Sequence, residues 1–180
     1  MLEIFIRIGC YLLAILMITS AIDKIKNYSI ALSKIKAYQL VNQNVGKVVL
    51  IVGICIEIFV GISLLIKRFD LLGLSVFVLM MLSYSTAIYI NLRKGNTSIS
   101  CGCGGVLESD ALSYKHLLRN SSLIITGILI YQFDTVTNLT IVQEIFILMI
   151  AISTIIFYGS LKEYKRQVWT IEKIKTRLSL

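Results

Sequence analysis

The sequence predicts an all-α integral membrane protein, and three observations carry that prediction. Hydrophobic residues make up 57% of the 180 positions and the mean hydropathy is +0.83, beyond the roughly 45–50% apolar content of soluble domains. The apolar residues gather into five runs bounded by charged or polar connections, and proline, the usual kink residue of a helix, is absent. The formal charge of +8 sits mainly in the connections, where Lys and Arg set orientation in a membrane. A lipid bilayer, and not nucleic acid, is the partner that this pattern implies.

The first run, near 4–22, contains Arg7 and has no small-x-small cleavage pattern before Asp23. It reads as a retained span and not as a removed signal peptide. Arg7, Cys10, Ala14, Met17, Ala21 and Lys24 recur at steps of three and four, so they share one helix face. Arg7 is expected to snorkel to the interface, while Lys24, after Ser20 and Asp23, closes the other end of the stripe. Asp23 to Lys47 is lysine-rich, and its middle, Ile30 to Leu40, is amphipathic enough for a short helix along the membrane surface.

The second run, near 48–66, is long enough to cross roughly 30 Å of hydrocarbon. It holds Glu57, with Gly53 four residues before and Gly61 four after. Small residues at that spacing let a neighbouring helix approach, so Glu57 is expected to point into the bundle. There it is either a functional acid or a structural ion pair or hydrogen-bonded acid. The third run, near 71–92, follows a tight connection with Lys67, Arg68 and Asp70. Its second half carries Ser83, Tyr84, Ser85, Thr86 and Tyr89; these hydroxyls either line a pocket beneath the next loop or bond across helices.

That loop holds Ser100-Cys101-Gly102-Cys103-Gly104-Gly105. A disulfide needs Cα atoms roughly 4.4–6.8 Å apart, so closing Cys101 onto Cys103 requires a bent backbone, which Gly102 permits. Gly104 and Gly105 add further freedom. A ring that small is strained, and strained exposed disulfides are exchange-prone. Cys10 and Cys55, inside apolar runs at different depths, are expected to act as small hydrophobes. Two sulfurs one residue apart make a thin metal site, and His116 reads as an ordinary interface residue, so no metal is expected.

Glu108-Ser109-Asp110 resembles a helix start with Ser109 as N-cap, whose positive end would favour a thiolate at Cys103. The fourth run, near 112–133, is short in purely apolar residues and needs its polar start for the crossing. The fifth, near 139–158, has Gln143 and Glu144 in its opening turns. The segment 161–180 mixes basic residues with Trp169, Ile171, Ile174 and Leu178, a pattern that suits an amphipathic helix on an anionic leaflet. A membrane bundle over 1–160 and a basic tail over 161–180 result.

Arg7 with Ser20 and Lys24, Glu57 between glycines, the Cys-Gly-Cys-Gly-Gly loop, and the segments Leu112-Ser113 and Arg119-Asn120 resemble, in that order, the MauE branch of the MauE/DoxX family of redox-associated membrane proteins. The sequence departs from the family pattern at Gly104, where an aromatic is expected, in lacking a proline near Glu57, and in its fifth span. The resemblance implies a four-helix DoxX/MauE-like bundle, to which the fifth hydrophobic helix and the tail are added. It implies a thiol–disulfide redox component, possible as an oxidoreductase, that acts with a thioredoxin-like protein during maturation of a client protein. Cys101 and Cys103 would be the exchange pair, with Lys24, Glu57, Arg119 and Asn120 as a polar cluster beneath them. No cofactor is required, and a quinone as electron partner stays open. The competing classes are a non-enzymatic membrane scaffold or chaperone and a protein handling copper or zinc through its thiolates.

Orientation sets two arguments against each other. With five spans, the first loop, the cysteine loop and the tail share one side with five, four and six basic residues, against three opposite. The positive-inside rule then places the cysteines in the cytoplasm. The resemblance and the chemistry of disulfides place them outside, and that reading is adopted against the charge bias.

Overall fold

Hydrocarbon offers backbone amides no water, so an apolar run that crosses a membrane alone must bond within itself as helix. The computed structural model describes residues 2–39, 42–66, 70–97, 99–102, 104, 112–133 and 140–178. Among these the elements are helices only: α1 (Leu2–Lys26), α2 (Tyr28–Ala37), α3 (Gln43–Leu65), α4 (Leu71–Arg93), α5 (Tyr114–Phe133) and α6 (Ile141–Leu178). Four stretches, Ile4–Lys26, Asn44–Leu65, Leu71–Arg93 and Ile141–Trp169, are long and apolar enough to cross a membrane. The chain is an all-α, multi-pass membrane protein. α5 is outside that group because Lys115, His116, Arg119 and Asn120 occupy its first turns, yet it packs along α4 and α1.

The helices run up and down. Lys24 meets Glu57 while Gly61 meets Ala14 and Ile18, so α1 and α3 are antiparallel. Asn120 meets Ser85 and Gly127 meets Phe77, so α4 and α5 are antiparallel as well. The turn into α4 is set by Asp70, whose carboxylate accepts from the Gly73 amide at 3.0 Å, an N-cap of the usual kind. Cys10, Leu13 and Met17 of α1, Val60 and Leu64 of α3, Phe77 and Met80 of α4, and Ile130 of α5 form one buried core. Two close approaches tighten it. A Cβ on Gly61 would stand 2.7 Å from Ile18, and one on Gly127 would stand 2.7 Å from the Phe77 ring.

Arg7 does not snorkel. It is 4% exposed and its Nε lies 3.8 Å from Glu144 Oε1, while the Tyr11 hydroxyl donates to the same carboxylate. Glu144 opens α6, so the acid pins the last helix to α1 and gives Arg7 an interior partner in place of the membrane surface. The correction has a simple cause: a cation near the start of a span is read as isolated until the helix that brings its acid is placed. Beyond this pin, α6 buries only a narrow stripe that includes Ile147, Ala151 and Ile155. It continues unbroken to Leu178 over 38 residues, about 57 Å at 1.5 Å per residue, so the tail residues prolong a spanning helix. α6 runs parallel to α1 and leaves the bundle on the side of the cysteine loop.

Candidate functional site

Lys24 closes α1 and Glu57 lies midway along α3, and the antiparallel packing of these helices brings them together. They are 5% and 2% exposed. The Lys24 ammonium donates to Glu57 Oε1. The same oxygen accepts from the Tyr84 hydroxyl at 3.1 Å and from Ser20 Oγ at 3.2 Å. Lys24 Nζ also lies 3.3 Å from Tyr84 Oη and 5.1 Å from its ring centroid. A Cβ on Gly53 would come within 3.3 Å of that hydroxyl, so the glycine gives Tyr84 its room. Glu57 Oε2 meets no hydrogen-bond partner among the described residues.

A second polar group comes from α5. Arg119 Nη2 lies 3.5 Å from Cys101 Sγ and 3.4 Å from Asn120 Oδ1, and Asn120 Nδ2 donates to Ser85 Oγ at 3.2 Å. Between the two groups is a void of about 20 Å³ lined in part by Glu57, Tyr84, Arg119 and Asn120. That is room for about one water. Lys24, Glu57, Arg119 and Asn120 are thus gathered at one end of the bundle, joined by Ser20, Tyr84 and Ser85.

The cysteine loop folds down onto this end. Asn91, wholly buried, bonds the Ala87 carbonyl and receives the Asn96 side chain. The Leu112 amide then closes the neck on Thr97 O at 3.0 Å. Cys101, 5% exposed, packs with Tyr38, Ile88 and Leu112, and the Tyr38 hydroxyl donates to its carbonyl at 2.9 Å. Gly102 and Gly104 have φ of +69° and +71°, a region that favours glycine. A Cβ on Gly104 would also stand 3.2 Å from both Asp23 Oδ2 and Ser20 O. A side chain at 104 would be strained by this φ and would press on these two oxygens. Cys103, Gly105, Ser109 and Asp110 lie outside the described residues, but Leu112 and Ser113 are not helical and α5 begins at Tyr114, so the helix through His116 does not run on from a start at Ser109.

Beside Cys101 is a cavity of about 210 Å³ whose lining includes Lys24, Lys34, Tyr38, Gly53, Tyr84 and Cys101. Tyr38 is the site residue that sequence reasoning missed; it is the polar end of the amphipathic stretch that became α2. The hydroxyls of α4 divide in a way that only packing decides. Tyr84 and Ser85 face the cluster, whereas Ser83 and Thr86 bond back to Leu79 O and Leu82 O. His116 is buried beside the neck, and among the described residues no three His, Cys, Asp or Glu side chains gather as a metal site. Cys10 belongs to the core, and Cys55 is exposed on α3.

The family model described as methylamine utilisation protein MauE matches residues 2–133, the stretch from α1 through α5. No curated protein and no solved structure matches the chain.

Proposed function

The chain belongs to the MauE family, and from that membership we propose that it is a membrane thiol–disulfide redox component for the maturation of a client protein. One observation carries the reading: the Arg119 guanidinium lies 3.5 Å from Cys101 Sγ, and Cys101 is one glycine from Cys103 in the chain. A cation beside sulfur stabilises negative charge on it, whether the sulfur is attacking or leaving. In the exchange, one thiolate of the pair attacks a partner disulfide and a mixed disulfide forms. The second thiol of the pair then displaces the partner's sulfur. Cys101 and Cys103 end oxidised and the partner ends as a dithiol; the reverse sequence oxidises the partner. A thioredoxin-like protein is the partner that this chemistry fits.

Asn120 ties α5 to α4, the helices that carry the loop, Lys24 and Glu57 tie α1 to α3, and Arg119 is the member of the cluster that touches sulfur. We place the loop on the extracytoplasmic face, where disulfides persist. Because α6 runs parallel to α1, its basic end emerges on that same side.

The test is trapping. Cys101→Ser and Cys103→Ser should each leave one thiol without its resolving neighbour and so accumulate a reductant-sensitive adduct with the partner. The double variant should form none. Labelling intact cells with an impermeant maleimide, with and without reductant, reads the side of the loop and its oxidation state together. If neither single variant traps a partner and the pair never closes across a range of redox buffers, the exchange reading is overturned. A double serine variant that still matures its client would favour a scaffold.

A further inference from the structure

The cavity beside Cys101 is walled by α1, α3 and α4 together with α2 and the cysteine loop. Most of its lining is buried or half-buried, and the exposed members are Val49 on α3 and Ser83 on α4. Both sit within stretches long and apolar enough to cross a membrane, which puts the exposed part of the lining, the mouth of the cavity, on α3 and α4. The Ser83 hydroxyl donates to Leu79 O, so its one donor is already used. Residues of α2 and of the cysteine loop complete the wall, Cys101 among them.

Its chemistry is that of a site for an apolar ring with an acceptor at its edge. A cavity of about 150 Å³ admits benzene, and this one measures about 210 Å³. Apolar side chains such as Ile35, Leu50 and Ala87 make up much of the wall. Lys24 also lines the cavity, although it is 5% exposed. An ammonium has three donors; two are met by Glu57 and Tyr84, and the third has no acceptor among the described residues. A buried donor is costly to leave unmet, and a carbonyl oxygen in the cavity would satisfy it.

Resting on the exchange reading above, we infer that this cavity binds a membrane-soluble quinone, which takes electrons from the cysteine pair. Cys101 is buried and lines the cavity, so a ring bound there lies beside one member of the pair. The balance closes. The two thiols lose two electrons and two protons and join as a disulfide, and the quinone takes up both electrons and both protons and departs as the quinol. Lys24 holds one carbonyl oxygen of the ring. The Arg119 guanidinium steadies the Cys101 sulfur as charge develops. The direction of flow follows: the pair is reoxidised from the membrane and oxidises its protein partner.

The test uses the full chain in lipid nanodiscs, reduced and then mixed with a decyl-tailed benzoquinone. The expected result is saturable quinol formation with one quinone consumed for every two thiols lost. An azido derivative of the same quinone should label cavity residues. Ala87→Phe, which fills the cavity, should raise the half-saturating quinone concentration at least about tenfold, in line with the cost of overpacking. Exchange of the pair with a soluble dithiol should stay unchanged. Should Ala87→Phe fail to fold, Val49→Trp at the mouth supplies the same comparison. Quinol formation that stays linear in quinone, equal labelling of wild type and both variants, or a co-purified phospholipid that the quinone does not displace would each overturn the site. A pair that exchanges with its protein partner while the chain neither binds nor reduces the quinone overturns this inference alone. Saturable, cavity-specific labelling with a pair inert to every oxidant keeps the binding site, but overturns the exchange reading and with it the electron transfer.

Discussion

Lys24 at the end of α1 and Glu57 in the middle of α3 form an ion pair, and both side chains are almost wholly buried. Removing one partner of a buried pair leaves an uncompensated charge, typically at a cost of about 3–5 kcal/mol. Glu57→Leu should therefore lower stability by that order, measured as thermal unfolding in detergent. Glu57→Gln keeps an acceptor for Tyr84 and Ser20 and should fall between Leu and wild type. The double variant Lys24→Met with Glu57→Leu should recover part of the loss. If Glu57→Leu is as stable as wild type, the pair does not anchor the bundle.

The pin on α6 is a separate case. Glu144→Ala removes the carboxylate that Arg7 and Tyr11 share, while Arg7→Leu with Glu144→Leu removes both charges together. The single variant should be the less stable of the two, because it strands a cation 4% exposed, and a buried charge without its partner is costly. Cross-linking between introduced cysteines on α1 and α6 should drop in the single variant and persist in the double. Equal loss in both would show that α6 is held by the stripe through Ile147 and Ala151 instead.

The places where the sequence could be read and where it could not divide along physical lines. Glu57 was legible as inward-facing because Gly53 and Gly61 mark its helix face, and Lys24 because it closes the same stripe as Ala14 and Met17. These are local regularities of a helix. Arg7 was misread because its acid lies more than a hundred residues away, and period within one helix carries no information about a partner on another. Tyr38 was missed for a related reason. Its hydroxyl matters only because the loop turns back and presents the carbonyl of Cys101. At Gly104 the sequence shows a departure from the resembled pattern but not the close approach of Ser20 and Asp23 to its backbone.

Close packing makes a sharper prediction at Gly127. A Cβ there would stand 2.7 Å from a ring carbon of Phe77, and that ring is fully buried. Gly127→Ala should destabilise by about 1–3 kcal/mol, the usual cost of overpacking, and Phe77→Leu in the same chain should relieve part of it. Gly53→Ala meets only the hydroxyl end of Tyr84 at 3.3 Å, so it should cost less and be relieved by Tyr84→Phe. Unfolding midpoints of the two pairs, compared as double-mutant cycles, check both. An additive result at 127 and 77 would contradict the contact.

The last prediction concerns Arg119 and Cys101, because it separates a chemical role from a structural one. In a chain with Cys10, Cys55 and Cys103 replaced by serine, Cys101 remains as the one reactive thiol. Its alkylation by a small uncharged reagent should slow by about tenfold in Arg119→Gln, the equivalent of one hydrogen bond to a charged group. Arg119→Lys keeps a cation and should recover part of the rate. Because the contact is buried, raising the salt should leave the difference largely in place, whereas a surface effect would be screened. Tyr38→Phe releases the Cys101 carbonyl without touching the charge. It should raise accessibility, and therefore speed alkylation, with Arg119 present. If Arg119→Gln and Arg119→Lys slow the thiol equally while their unfolding midpoints fall together, Arg119 acts through packing alone, and the guanidinium has no part in the chemistry of the sulfur.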